Sequence, residues 1–142
     1  MNTTLKVYLN HPLAVMPELA TEWSACFDLR ACFEPGDEIA VHNSVNEKFV
    51  RVVDEESSIY LYPKERMLIP TGLIFDLDET QSVRIHPRSS LGWKFGVTIP
   101  HSEGIVDADY IHETFILLQN NSDLAFPIAH GDRLLQAEVV EN

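Results

Sequence analysis

At 142 residues, with 45% hydrophobic and 23% charged side chains, the chain has the size and composition of one globular domain with a real core. Its 22 acidic against 10 basic residues leave a net charge of −12, which opposes approach to a nucleic-acid backbone. No apolar run nears the roughly 20 residues that a membrane span requires. The opening MNTTLKVYLNHPLAV lacks the basic segment and sustained apolar core of a secretory signal, so a cytoplasmic location is expected. Cys26 and Cys32 have no Cys or His companions at metal-type spacing and read as reduced thiols.

In chain order, short β-branched and aromatic runs predict strands at 6–9, 27–32, 38–41, 48–53, 59–62, 66–70, 72–76, 82–87, 114–120, 124–128 and 134–140. Turn residues separate them, including PGD at 35–37, NNSD at 120–123 and HGD at 130–132. One helical turn is expected at 91–94, capped by Ser89 or Ser90. The acidic VVDEESS reads as a solvated hairpin tip, and 37–60 as a hairpin insertion in a single domain spanning 1–142. Many short strands and little helix predict an all-β sandwich or barrel.

Four segments carry possible chemistry. In HPRSSLGWKFG (86–96), Arg88, Ser89 and Ser90 follow a strand-ending proline. A guanidinium, two hydroxyls and free amides at a helix start are what phosphate oxygens need, although a capping turn with a surface arginine uses the same residues. Arg84, Arg88 and Lys94 also gather within eleven positions. In GDRLLQAEV (131–139), Gln136 sits in an apolar run, so its amide needs a partner, either a backbone group or a ligand phosphate. Asp132 and Arg133 are placed to pair with each other or with neighbours. Asp28, between Phe27 and Leu29, points away from both on a strand, toward solvent or toward a hydrated metal ion. EGIVDADYIHE (103–113) sets Asp107 and Asp109 directly against the apolar Ile105 and Val106, with Tyr110 next. The six histidines show no zinc-type spacing, and no P-loop, dinucleotide glycine pattern or nucleophile elbow is present.

In sequence, ATEWSACFDLRA, PRSSLGWKFGV, GIVDADYIHE and GDRLLQAEV resemble the first four motifs of the trimeric dUTPase family. YPKERMLIPTGLIFDL is similar to the strand leading into the second motif. The resemblance implies a jelly-roll-like β-clip subunit, a homotrimer with sites between subunits, and Mg²⁺-dependent hydrolysis of dUTP to dUMP and diphosphate. It assigns Asp107 as the carboxylate that activates water against the α-phosphorus. Tyr110 matches the ring under the deoxyribose, and Gly104, Ile105 and Val106 the hairpin that reads the base. Arg88, Ser89, Ser90 and Gln136 match phosphate ligands, and Asp28 the aspartate that meets magnesium through water.

The chain also departs from that pattern. His101 stands where asparagine commonly contacts the base, Ile111 and His112 replace an Arg–Gly pair, and Cys26 replaces a glycine. A glycine-rich fifth motif is expected to be missing after Gln136. These departures keep open another dNTP as substrate, or a nucleotide-sensing trimer without catalysis. The related dCTP deaminase chemistry needs a glutamate where this chain has Leu117, and is disfavoured.

Overall fold

Thirteen strands and one short helix make up residues 5–142, the part of the chain that the computed structural model describes. In chain order they are β1 (Lys6–Leu9), β2 (Phe27–Arg30), β3 (Glu38–His42), β4 (Lys48–Val52), β5 (Ser58–Leu61), β6 (Arg66–Pro70), β7 (Leu73–Asp76) and β8 (Gln81–Pro87). There follow α1 (Ser89–Phe95), β9 (Val97–Thr98), β10 (Gly104–Val106), β11 (Phe115–Asn120), β12 (Phe126–Ala129) and β13 (Arg133–Glu141). The fold is all-β, as the alternation of short apolar runs and turns requires.

Two sheets carry most of it. One has the order β10-β8-β13-β2, the other β4-β3-β6-β11-β9, and the pairs β1-β7 and β12-β5 flank them. Strand alternation sends one face of each strand inward, as in β2 (Phe27 and Leu29 in, Asp28 and Arg30 out) and β6 (Met67 and Ile69 in). These side chains join Ile39, Val41, Leu61, Ile116, Leu118 and Leu135 in one continuous core.

Three local expectations are corrected. Neither serine caps the helix: it starts at Ser89, its N-cap is Arg88 with no side-chain cap bond, and Ser89 and Ser90 are exposed first-turn residues. Gly96 ends it in the left-handed region, φ 67°, which its missing Cβ permits. VVDEESS is not a hairpin tip, because β4 pairs with β3 while β5 pairs with β12. The acidic turn is a corner between sheets, closed by Asp54 Oδ1 accepting from the amides of Glu56 and Ser58. The hairpin within 37–60 is β3–β4 alone.

That corner is tied to the core by one buried ion pair. Arg51 on β4 donates from Nη1 and Nη2 to Glu65 Oε1 and Oε2 at 2.7 and 2.9 Å. Its guanidinium lies between the Phe49 and Tyr62 rings, 5.2 and 4.7 Å from their centroids. Burial raises the Glu65 carboxyl, but the Arg51 fork and the Tyr62 amide outweigh it and hold the group below its ordinary range.

Candidate functional site

The acidic segment 103–113, a hairpin by the family resemblance, is here an edge strand, β10, that runs into a turn with no returning strand, beside an apolar cleft. β10 pairs with β8 through Gly104↔Ile85, Ile105↔Arg84 and Val106↔Val83. The approach at Gly104 is close enough that a Cβ there would lie 3.1 Å from Ile85 Cβ. The cleft has a volume of about 360 Å³, and its walls include His101, Gly104, Ile105, Val106, Tyr110 and Leu117. All five base- and sugar-side residues named from sequence therefore meet in one place. Leu117, the position a deaminase would need as glutamate, contributes an aliphatic wall.

Two of these side chains are held in place before any ligand arrives. Tyr110 donates its hydroxyl to the Glu113 carbonyl at 2.9 Å, and its ring meets His112 edge-on at 5.7 Å. His101 Nδ1 lies 2.8 Å from the Glu103 carbonyl, an atom that only accepts. Nδ1 therefore carries the proton, and in the neutral ring Nε2 is an acceptor. Thr114, 3% exposed, is a residue that sequence reading passed over: it lines the cleft, and its buried hydroxyl has no hydrogen-bond partner among the described residues. Nothing in the sequence marks it, since a threonine at the start of a strand is unremarked.

Asp107 directly follows Val106, which lines this cleft. Its carbonyl accepts from the Tyr110 amide at 3.1 Å, closing the turn through the main chain. Its side chain is exposed, and no ion pair or hydrogen bond among the described residues engages the carboxylate.

The phosphate-type residues assemble elsewhere. Gln136 pairs in register with both His86 and Asp28, so these three side chains share one face of the four-stranded sheet. Ala137 pairs with Ile85 and Phe27 and turns to the other face, where Ile85 and Val106 line the cleft. On the polar face Asp28 has Arg88 Nε at 3.8 Å and Arg133 Nη1 at 3.7 Å. Arg88 also donates to the Arg133 carbonyl at 2.9 Å. Gln136 Nε2 donates to the Pro87 carbonyl at 3.1 Å, so a backbone group, one of the two partners open to it, satisfies the amide.

The anticipated gathering of Arg84, Arg88 and Lys94 does not occur. Arg84 turns toward Ser82 and Glu103, while Lys94 is exposed in the last helical turn. Asp132 binds the Ala129 amide rather than Arg133.

The same polar face holds a cluster that sequence spacing did not suggest. Cys26, His86 and Glu138 each offer a ligand-type atom, and these atoms lie within 4.8 Å of one another. Burial, then the Glu138 and Asp28 carboxylates, push the Cys26 thiol up. Cys32 is buried apart from this face.

A family model described as dUTPase matches residues 53–140. Deoxyuridine 5′-triphosphate nucleotidohydrolase from Treponema pallidum is 37% identical over 129 residues, which are 91% of this chain and 74% of that protein. The Cytophaga hutchinsonii protein of the same name is 43% identical over 84 residues, 59% of this chain and 54% of its own length.

Among solved structures, a mutant dUTPase from phage φ11 of S. aureus, described as coordinating a structural Mg(II) ion, superposes with a TM-score of 0.73. It has 22% identity over 99% of this chain and 92% of its own. The Streptococcus mutans dUTPase gives 0.72 and 18% over 95% and 94%. These two structures speak for the fold.

Proposed function

The chain belongs to the dUTPase family, and from that premise we propose that it hydrolyses dUTP to dUMP and diphosphate. The observation that carries this reading is the cleft beside β10, which brings together His101, Gly104, Ile105, Val106 and Tyr110, with Asp107, exposed and unengaged among the described residues, directly after Val106 in the chain. Uracil enters the cleft against the β10 backbone. His101 Nε2 supplies a polar contact to its edge. The Tyr110 ring packs under the deoxyribose and fills the space of a 2′-hydroxyl.

Asp107 accepts a proton from a water molecule, and the resulting hydroxide attacks the α-phosphorus. The bond from that phosphorus to the α–β bridging oxygen breaks, and the bridging oxygen leaves with diphosphate. Most of the remaining work is positioning and charge neutralisation. Arg88, Ser89, Ser90 and Gln136 hold phosphate oxygens, and Arg133, which sequence reading did not single out for this role, adds a second guanidinium.

On a chain of net charge −12, a local cationic cluster and a divalent ion are needed to admit a triphosphate. Mg²⁺ bound to the triphosphate would chelate its oxygens and spread its charge. Asp28 fits the outer shell of such an ion, because its carboxylate is partly exposed and already balanced by two guanidinia.

Cleft and phosphate cluster turn to opposite faces of one sheet, so a single chain does not converge them on one nucleotide. We take the complete site to form between chains of a homotrimer, the β10 segment of one facing the Arg88 turn of another. The fold carries no helix long and apolar enough to cross a membrane among the described residues.

Diphosphate release from dUTP, dCTP, dTTP and dATP tests the reading, with a chelator arm. dUTP is expected to dominate and the chelator to abolish turnover. Preference for another base would reassign the cleft, ammonia release would indicate deamination, and tight dUTP binding without turnover would indicate a sensor. Tyr110→Ala is expected to raise kcat/KM for UTP relative to dUTP by about tenfold or more. If UTP stays excluded, the ring is not the sugar gate.

A further inference from the structure

We propose a second, separate metal site on the polar face of the four-stranded sheet, taking a Zn²⁺-class transition ion through Cys26 Sγ, a His86 ring nitrogen and a Glu138 carboxylate oxygen. Strands β8 and β13 and the residue just before β2 deliver the ligands. Because Ala137 pairs with both Phe27 and Ile85, Glu138 stands across from Cys26 and diagonally from His86. His86 Nε2 is already 2.9 Å from Glu138 Oε1. All three ligand atoms lie within 4.8 Å of one another. A tetrahedral ion with bonds of about 2.0–2.3 Å holds its ligands roughly 3.3–3.8 Å apart, so the set closes with shifts of roughly an ångström.

The donor chemistry selects the ion. Thiolate, imidazole and carboxylate together suit Zn²⁺ or Co²⁺, whereas Mg²⁺ wants an octahedron of oxygens. Local charge favours a cation as well. Arg84, which pairs in register with Glu138, spends its guanidinium on Ser82 Oγ at 3.1 Å and on Glu103 at 3.7 Å. His86 is then the one side-chain hydrogen-bond partner of Glu138 among the described residues. Three protein ligands leave a fourth position for water, and the thiol gives its proton to solvent on binding.

The placement gives the site a consequence. Asp28 and Gln136 are the same-face neighbours of Cys26 and Glu138, and His86 is two residues from Arg88. An ion here would pin together the three strands that carry the phosphate cluster, at a point that the hydrolytic chemistry itself does not use.

The test needs no nucleotide, so its failure is separate from any failure of the hydrolase reading. The metal-stripped chain is titrated with Zn²⁺ in excess Mg²⁺ by calorimetry, and with Co²⁺ by absorption spectroscopy. One ion per chain, a thiolate-to-cobalt charge-transfer band and a higher melting temperature are expected. Cys26→Ser should abolish the band and weaken Zn²⁺ binding about tenfold or more, and Glu138→Gln should weaken it comparably. The melting profile of each stripped variant checks that it folds. No binding, displacement by Mg²⁺, or an unchanged affinity and spectrum in folded Cys26→Ser would overturn the proposal.

Discussion

Asp107→Asn is expected to lower kcat for dUTP by about 100-fold or more while KM changes little, because it removes the base and keeps the contacts. The turn supports so clean a separation. It is closed by the Asp107 carbonyl and the Tyr110 amide, which the substitution leaves intact. The carboxylate is exposed and bonded to nothing among the described residues, so the amide replaces it without orphaning a partner. A folding role would show instead as a lower melting temperature. A substrate-binding role would raise KM together with any fall in kcat. Steady-state kinetics on the purified variant, with a thermal melt alongside, distinguishes the three.

The largest effect on stability is expected from Arg51→Ala, which should cost about 3–5 kcal/mol by leaving Glu65 charged, buried and unpaired. Glu65 is 7% exposed, and beyond Arg51 only the Tyr62 amide satisfies it. Losing the guanidinium also removes the cation from between Phe49 and Tyr62 and its bond to the Tyr60 carbonyl. Replacing both partners with apolar residues, Arg51→Met with Glu65→Leu, should recover much of the loss, since no charge is then stranded.

The pH dependence has a definite sign. The folded carboxyl is held below its ordinary range, so the pair's contribution is full above the unfolded glutamate value of about 4.3 and is lost as pH falls through the lower folded value. Denaturant melts from neutral to acid pH should show the wild type losing its advantage over the double variant in that window. An advantage that is flat across the acid range would contradict this role for Glu65.

How far the sequence told this in advance varies with the physics at each position. Period-two alternation marked β2 and β6 well, because one face of each is buried and the other is not. The strands β9 and β10 escaped it, having two and three residues, too few to show a period. Composition drew attention to the segment around β10, with carboxylates set against Ile105 and Val106 beside a tyrosine, but the roles given to its residues came from the resemblance of GIVDADYIHE to a family motif. The cap assignment failed because serines that cap helices also occur as exposed first-turn residues, and only backbone angles tell these apart. The Arg84–Arg88–Lys94 grouping failed because closeness in sequence does not say which partner each side chain takes: Arg84 turns to Ser82 and Glu103, Arg88 to Asp28, and Lys94 stays exposed. The converse holds for Cys26, His86 and Glu138, which antiparallel register alone brings together.

Subunit mixing tests the central claim most directly. Asp107→Asn and Arg88→Ala chains are each prepared alone, then unfolded together in equal amounts and refolded. Each variant alone should be nearly inactive, and random reassembly should restore activity in about a quarter of the sites, those pairing an intact β10 segment with an intact phosphate turn from another chain. A mixture no more active than its two components would contradict a site shared between subunits.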